Sequence, residues 1–260
     1  MNVFFTDLDD TLFSSLRKHD AQQELRAEAL LKNGDPVSFS CFRQRRLRAL
    51  MAQGEALFIP VTARSVEAFG RAGVSGYHKA ICANGAVLLN ADGSPDQAWQ
   101  RLLQRELHAI QQPLLAFERS LRDWAQQHDV RMWLVTEEGV GHIYCVLKSN
   151  RQVDGDGAAG PADALGEQAA QLRAAPPPWV GTVHHNGNNL AIIPRVVSKA
   201  RAVASLWSAL QGVHAECVSF GVGDSRSDWS FMNLCDFAVL PTRSQLALNI
   251  ASQLPELDLC

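Results

Sequence analysis

The chain has no long apolar run, no marked excess of either charge and no paired cysteines, and each of these absences removes a class of protein. No segment approaches the roughly 18 consecutive apolar residues of a membrane-spanning helix. The few residues between Met1 and the first apolar run hold neither a basic region nor a signal-like stretch. The expectation is a cytoplasmic protein that does not engage a membrane. Lys plus Arg number 24 against 27 Asp plus Glu, a net charge of −3, so there is no basic footprint for nucleic acid or anionic lipid. A small-molecule partner is implied instead, with the chain itself a monomer or homodimer. The six cysteines, Cys41, Cys82, Cys145, Cys217, Cys235 and Cys260, are scattered without a C-x-x-C pair, several of them in apolar runs. Reduced, buried thiols have that distribution. There is also no internal repeat.

What is present is concentrated at the start. Asp7-Leu8-Asp9-Asp10-Thr11-Leu12 follows the apolar run Val3-Phe4-Phe5 directly, setting two carboxylates where a buried strand ends. Successive side chains of a strand alternate faces, so Asp7 and Asp9 share a face while the chain stays extended, and their charges repel there. A cation relieves that repulsion. Mg²⁺ takes oxygen ligands and bridges carboxylates to a substrate phosphate, which makes it the natural completion of the pair. The competing reading is an acidic loop that caps the next element.

At 260 residues the chain has ample length for one large domain or a core plus a smaller module. Short apolar runs alternate with helical periodicity at both ends: Val3 to Thr6, Ala56 to Val61, Lys79 to Cys82, and later Leu190 to Ile193, Cys217 to Val222 and Phe237 to Leu240. This predicts an α/β core with a parallel sheet and helices on both faces. The texture changes between about 86 and 188: a hairpin-like Val87 to Asn90 with Ala91-Asp92-Gly93, a long helix near 102–128, and strands near Val130 to Thr136 and His142 to Lys148. That predicts an inserted α+β module over 86–188, with the core formed by 1–85 and 189–260. Inside the module, Asp154 to Pro161 reads as a flexible loop, and Pro176-Pro177-Pro178 stops the preceding helix. Asn33-Gly34-Asp35-Pro36 between two apolar stretches predicts a hairpin insertion over 17–41.

Further polar groups recur where predicted core strands end, the place where ligands bind in open α/β sheets. Leu57 to Val61 runs into Thr62-Ala63-Arg64-Ser65, where Thr62 and neighbouring N–H groups suit a phosphate oxygen or a helix cap equally well. Lys199 opens the helix Ser198 to Leu210, within reach of a phosphoryl oxygen and a carboxylate together, although lone lysines are usually solvated. Phe220-Gly221-Val222-Gly223-Asp224-Ser225-Arg226-Ser227-Asp228 breaks from a strand into glycine and two acids. Those acids suit one metal, or an Asp-rich turn in which Asp228 caps a helix.

Taken together, Asp7/Asp9, Thr62, Lys199 and Asp224/Asp228 resemble, in order, the four signature motifs of the haloacid dehalogenase-like superfamily. The module preceded by Ala83-Asn84-Gly85-Ala86 resembles the large α/β cap of its sugar-phosphatase branch, which includes sucrose-phosphate and mannosyl-phosphoglycerate phosphatases. The resemblance implies a doubly wound, Rossmann-like parallel-sheet core with an inserted α+β cap that selects the substrate. It implies a Mg²⁺-dependent phosphatase acting on a small phosphorylated metabolite, a sugar phosphate by preference. Asp7 would be the nucleophile that becomes an aspartyl-phosphate, and Asp9 the acid and base. Thr62 and Lys199 would hold the phosphoryl oxygens. The metal would lie among Asp7, Asp224 and Asp228 with the Asp9 backbone carbonyl. The chain departs from the pattern at Ser227, where many relatives carry Asn, and at Asp10, where Gly is commoner.

Candidate substrate contacts are Arg64, Asn84 and Gly85 in the core, and Arg131, Trp133, His142, Lys148, His184, His185, Asn186, Asn188 and Asn189 in the module. His184 and His185 are adjacent and point to opposite faces of a strand, which speaks against a two-histidine metal site. Arg64 also reads as a surface charge at a helix start. Trp99, Trp124, Trp179, Trp207 and Trp229 read as packing residues. A phosphosugar mutase of the same fold would use the same residues, and a non-catalytic binding member would keep only the fold. The intact acids and lysine favour a hydrolase over the latter, and a dehalogenase would give Asp9 no leaving alcohol to protonate.

Overall fold

The computed structural model describes residues 1–149, 164–214 and 216–253. The loop expected over Asp154 to Pro161 lies outside them. Two compact units result: Met1–Asp96 with Lys199–Cys260, and Gln97–Ser198.

The first unit contains β1 (Asn2–Thr6), β2 (Arg26–Leu30), β3 (Pro36–Ser40), α1 (Phe42–Met51), β4 (Ala56–Pro60), α2 (Val66–Gly70), β5 (Lys79–Cys82) and β6 (Val87–Asn90). The second contains α3 (Gln97–Gln127), β7 (Val130–Glu137), β8 (Gly141–Ser149), α4 (Ala164–Ala174), β9 (Val180–Asn186) and β10 (Asn189–Pro194). The chain then completes the first unit with α5 (Lys199–Val213), β11 (Val218–Val222), α6 (Arg226–Met232), β12 (Phe237–Val239) and α7 (Gln245–Gln253).

The core sheet is parallel, in the order β12-β11-β1-β4, and a parallel bridge from Val61 to Ile81 joins the start of the β5–β6 hairpin to its edge. The central strand is apolar on both faces, as strands covered on both sides are. Val3 and Phe5 are fully buried, and Phe5 meets the Trp207 ring of α5 edge-on at 6.3 Å. On the other face the register aligns Phe58, Phe4, Phe220 and Phe237 across all four strands. Phe4 stacks on Phe220 at 4.8 Å and Phe220 on Phe237 at 5.3 Å. In α5, Ala202, Val203, Leu206 and Leu210 are buried, a spacing that makes one helix face.

The second unit is an antiparallel sheet, β7-β8-β10-β9, with α3 and α4 packed on one side. Its core joins Leu114, Leu121 and Ala125 of α3, Leu165, Ala169 and Leu172 of α4, and Cys145, Leu147, Leu190 and Ile192 of the sheet.

Two expectations are corrected here. Leu190 to Ile193 is not a core strand: it pairs antiparallel with β8 and β9 inside the second unit. Val87 to Asn90 does turn back across Asp92-Gly93, with Leu89 bridged to Pro95, but it also pairs antiparallel with Lys79–Cys82 and so stays with the core. The division therefore falls at 96/97 and 198/199 instead of 85/86 and 188/189. The reason is shared: a short apolar run has the same composition in a parallel or an antiparallel sheet, and only its hydrogen-bonded neighbour distinguishes them. Between the two expected strands at 17–41, β2 and β3 pair antiparallel across Leu31 to Asp35. Among the described residues no helix is long and apolar enough to cross a membrane, and Cys41, Cys82, Cys145, Cys217 and Cys235 are free.

Candidate active site

Three adjacent parallel strands, β4, β1 and β11, deliver the signature residues at their carboxyl ends. The Asp7 N–H donates to the Val222 carbonyl, continuing the β1–β11 ladder one step beyond the strands. Val61 N–H donates to Thr6 and Thr62 N–H to Ile81, which seats Thr62 beside the same edge. Asp224 follows β11 after the single residue Gly223, and Lys199 is the first residue of α5.

Lys199 joins the two ends of the chain. Its Nζ donates to Asp7 Oδ1 at 2.6 Å and to Asp228 Oδ1 at 2.7 Å, and all three side chains are buried. An ammonium has three donors, so one remains. Asp228 is fully engaged, since its Oδ2 accepts from the Ser225 hydroxyl and backbone N–H. Ser225 rather than Asp228 occupies the cap position of α6, with Asp228 reciprocating three residues on. Asp228 can therefore brace the helix start through Oδ2 and hold the lysine through Oδ1 at once.

The electrostatics follow from burial. Desolvation, then repulsion from Asp228, raises the Asp7 carboxyl well above its ordinary range despite Lys199 beside it. Burial opposes the Lys199 ammonium too, but Asp7 and Asp228 outweigh it and hold the lysine above its ordinary value. Asp228 is desolvated as well, yet Lys199 and Ser225 pull it below the usual range. Asp224 is pushed up to about 7 by burial and by the charges of Asp228 and Asp10. Its carboxylate has no hydrogen-bond or ion-pair partner among the described residues.

Asp7, Asp224 and Asp228 offer ligand oxygens that all lie within 4.8 Å of one another. Hard oxygen donors around one uncompensated acid fit a Mg²⁺ ion. Thr62 is buried, and its hydroxyl oxygen accepts the Arg64 N–H at 3.1 Å, leaving its own proton free to donate. It does not cap a helix: α2 begins four residues later, capped by Ser65, whose hydroxyl accepts from Ala68.

Asp9 does not face the lysine. Its carboxylate is paired with Arg64 at 2.7 and 2.8 Å. Asp10 adopts the left-handed backbone, φ 65, which explains why glycine is common there and why an aspartate is tolerated. Its side chain accepts from Lys18 of the short helical turn Leu16–Lys18 at 2.5 Å. Neither pairing was visible in the sequence: Lys18 carries no local signal, and Arg64 only its place two residues after Thr62. Ala83, Asn84 and Gly85 form a left-handed turn whose amides at Ala83 and Asn84 donate to the Arg64 and Thr62 carbonyls, so this turn braces the Thr62 loop.

In the second unit the register gathers several expected substrate contacts on the sheet face opposite the helices. Arg131, Lys148, Asn189 and Asn186 make one row, and Trp133, Val146, Ala191 and His184 the next. His185 pairs with Leu190 and lies on the helix-packed side, away from His184. His142 is bonded to Thr136, and Asn188 lies in the β9–β10 turn, outside those rows. Among the tryptophans, Trp99 and Trp207 pack as expected, Trp124 stacks on His128 and Trp179 meets the Phe117 ring edge-on, but Trp229 is 42% exposed.

No family model and no curated protein sequence matches the chain. Solved structures do. Sucrose-phosphatase from Synechocystis sp., in complex with sucrose and phosphate, superposes with a TM-score of 0.55 at 13% identity, covering 96% of this chain and 87% of that one. A haloacid dehalogenase-like hydrolase from B. subtilis gives 0.51 at 12% identity over 100% of both chains. A trehalose-6-phosphate phosphatase related protein gives 0.50 at 14% identity over 92% and 91%. The chain thus has the fold of the haloacid dehalogenase-like hydrolases, a Rossmann-like core with an inserted second unit, in agreement with its motifs.

Proposed function

We propose that this protein is a phosphatase that hydrolyses a small phosphorylated metabolite, a sugar phosphate first among the classes to test, through an aspartyl-phosphate on Asp7 and with Mg²⁺. The observation that carries the reading is the buried Lys199 ammonium tied to Asp7 and Asp228, with the unpaired Asp224 beside them. A nucleophile, a cation for phosphoryl oxygens and an acidic metal cradle are what phosphoryl transfer requires, since its catalysis is mostly positioning and charge stabilisation. The likeness to a sucrose-phosphatase fold supports the sugar-phosphate choice.

In this mechanism an Asp7 oxygen attacks phosphorus in line, the ester P–O bond breaks, and Asp9 gives a proton to the leaving oxygen. Water then attacks the aspartyl-phosphate, the Asp7 O–P bond breaks, and Asp9 takes the water's proton. The third Lys199 donor and the free Thr62 hydroxyl proton hold equatorial oxygens. Asp7 and Asp224 would hold Mg²⁺ with the Asp9 carbonyl, and Asp228 would support it through Lys199 and Ser225. Bound there, the ion would neutralise developing charge on the phosphoryl group and keep Asp7 ionised.

The test is phosphate release from p-nitrophenyl phosphate and a panel of sugar phosphates, with and without Mg²⁺, for wild type and Asp7→Asn. Mg²⁺-dependent release that disappears in the variant supports the proposal. Absence of release, with interconversion of phosphosugars when a bisphosphate is added, would replace it with a mutase.

A further inference from the structure

Asp9 is gripped at both oxygens. Arg64 Nε donates to Oδ2 at 2.8 Å and Nη2 to Oδ1 at 2.7 Å, and no other side chain bonds this carboxylate among the described residues. The guanidinium is itself held from three further directions. Nη2 also reaches the Ser38 hydroxyl at 3.4 Å, Nη1 reaches the Ala68 carbonyl at 3.5 Å, and the Phe13 ring centroid lies 5.1 Å from Cζ. The arginine side chain is 16% exposed and the aspartate 49%. The clamp therefore points inward and presents a carboxylate to the solvent side. The two acids of the first motif are divided between two cations, Asp7 to Lys199 and Asp9 to Arg64.

We propose that Arg64 is a positioning residue that fixes Asp9 for its two proton transfers, and that the β2–β3 hairpin is part of this support through Ser38. The inference rests on the phosphatase reading. Both chemical steps need the Asp9 carboxyl within hydrogen-bond reach of one oxygen, first the leaving ester oxygen and then the attacking water. A planar fork that bonds both carboxylate oxygens sets the plane as well as the position of the group, which a single ammonium cannot do. When Asp9 carries a proton, one oxygen still accepts from the fork while the other turns outward as donor. Arg64 has five N–H donors, and four contacts already use them on Asp9, Ser38 and Ala68. The two short bonds both go to Asp9, so the fork is committed to that carboxylate and only one Nη1 N–H is left over; Arg64 serves the reaction by holding Asp9 rather than by gripping the substrate. The role also accounts for the insertion, whose strand β3 brings Ser38 to the guanidinium.

The experiment compares wild type, Arg64→Gln, Arg64→Lys and Ser38→Ala as full chains with p-nitrophenyl phosphate and saturating Mg²⁺, reading kcat, KM and the inhibition constant of orthovanadate. Arg64→Gln is expected to lower kcat about 100-fold, the cost of a misplaced catalytic group, with KM and orthovanadate inhibition within about twofold of wild type. Arg64→Lys should restore little of the loss, because the point charge lacks the fork. Ser38→Ala should lower kcat by about two- to fivefold, a fraction of that effect, with KM again unchanged. A rise in KM and a matching loss of orthovanadate affinity with kcat retained would make Arg64 a substrate ligand and overturn the proposal, as would unchanged kcat. If Arg64→Gln does not fold by circular dichroism, Ser38→Ala decides by the same split. A wild type that releases no phosphate from any ester removes the phosphatase reading, and this inference with it.

Discussion

Lys199 Nζ lies 2.6 Å from Asp7 Oδ1 although 192 residues separate them along the chain. The contact closes the core across the entire second unit of sequence. It also sets two buried acids against one buried base, with Asp228 on the other side of the ammonium.

Removing the cation alone should therefore destabilise strongly. Lys199→Met leaves Asp7 and Asp228 buried without compensation, and loss of one member of such a cluster costs about 3–5 kcal/mol. Urea unfolding followed by fluorescence should show a lower midpoint with an unchanged slope. A midpoint equal to wild type would mean that the buried cluster is solvated or rearranged.

Asp7→Asn should separate stability from activity. The folded value of Asp7 is raised, so its ionised form is disfavoured in the fold, and its stabilising contribution at low pH is lost as pH rises through the folded value. A neutral isostere avoids that loss. At pH 7.5 and without Mg²⁺ the variant should melt at or above the wild-type temperature, while phosphate release falls about 1,000-fold or more.

Asp224 predicts a pH window. Its folded value of about 7 lies above its ordinary 3.8, so the folded state binds the proton more tightly. Stability from this residue is present below about pH 4 and lost as pH rises toward 7. The melting temperature of metal-free wild type should decline across that range more than that of Asp224→Asn. Mg²⁺ needs the ionised carboxylate, so adding it should raise the melting temperature more at pH 8 than at pH 6. At 100 times its Kd the ion would add about 2.7 kcal/mol. Equal Mg²⁺ shifts at both pH values would remove Asp224 from the metal site.

Gly223 tests how α6 is seated. A Cβ there would lie 2.6 Å from Asp228 Cβ and 2.9 Å from Met232 Sδ, so Gly223→Ala must push α6 and Asp228 away from Lys199. A stability loss of about 1–3 kcal/mol is expected, accompanied by loss of phosphate release. Gly212→Ala is the comparison: it faces open space within α5 and should stabilise by about 0.5–1 kcal/mol.

The first acidic motif was legible because it is local. Val3-Phe4-Phe5 must be a buried strand, and the acids that follow must sit at its end, whatever surrounds them. The Gly223-Asp224 turn after β11 was legible for the same reason. The β10 strand was not: Leu190 to Ile193 has the composition of a core strand, and its partners β8 and β9 are chosen by packing against α3 and α4. The start of α2 moved from Thr62 to Val66 because Ser65 competes for the cap, a choice between neighbouring hydroxyls that propensity alone does not rank.

The residue order by itself determined which groups are available and which ones end a strand: Asp7, Asp9, Thr62, Asp224 and Asp228, each next to an apolar run whose burial positions it. Tertiary structure decided how those charges are shared. Lys199 went to Asp7 and Asp228, Arg64 to Asp9, Lys18 to Asp10, and Asp224 was left without a partner. The physical reason is that strand formation follows from neighbouring side chains, whereas pairing of charges depends on distances between segments far apart in the chain, set only when the sheet and its helices pack.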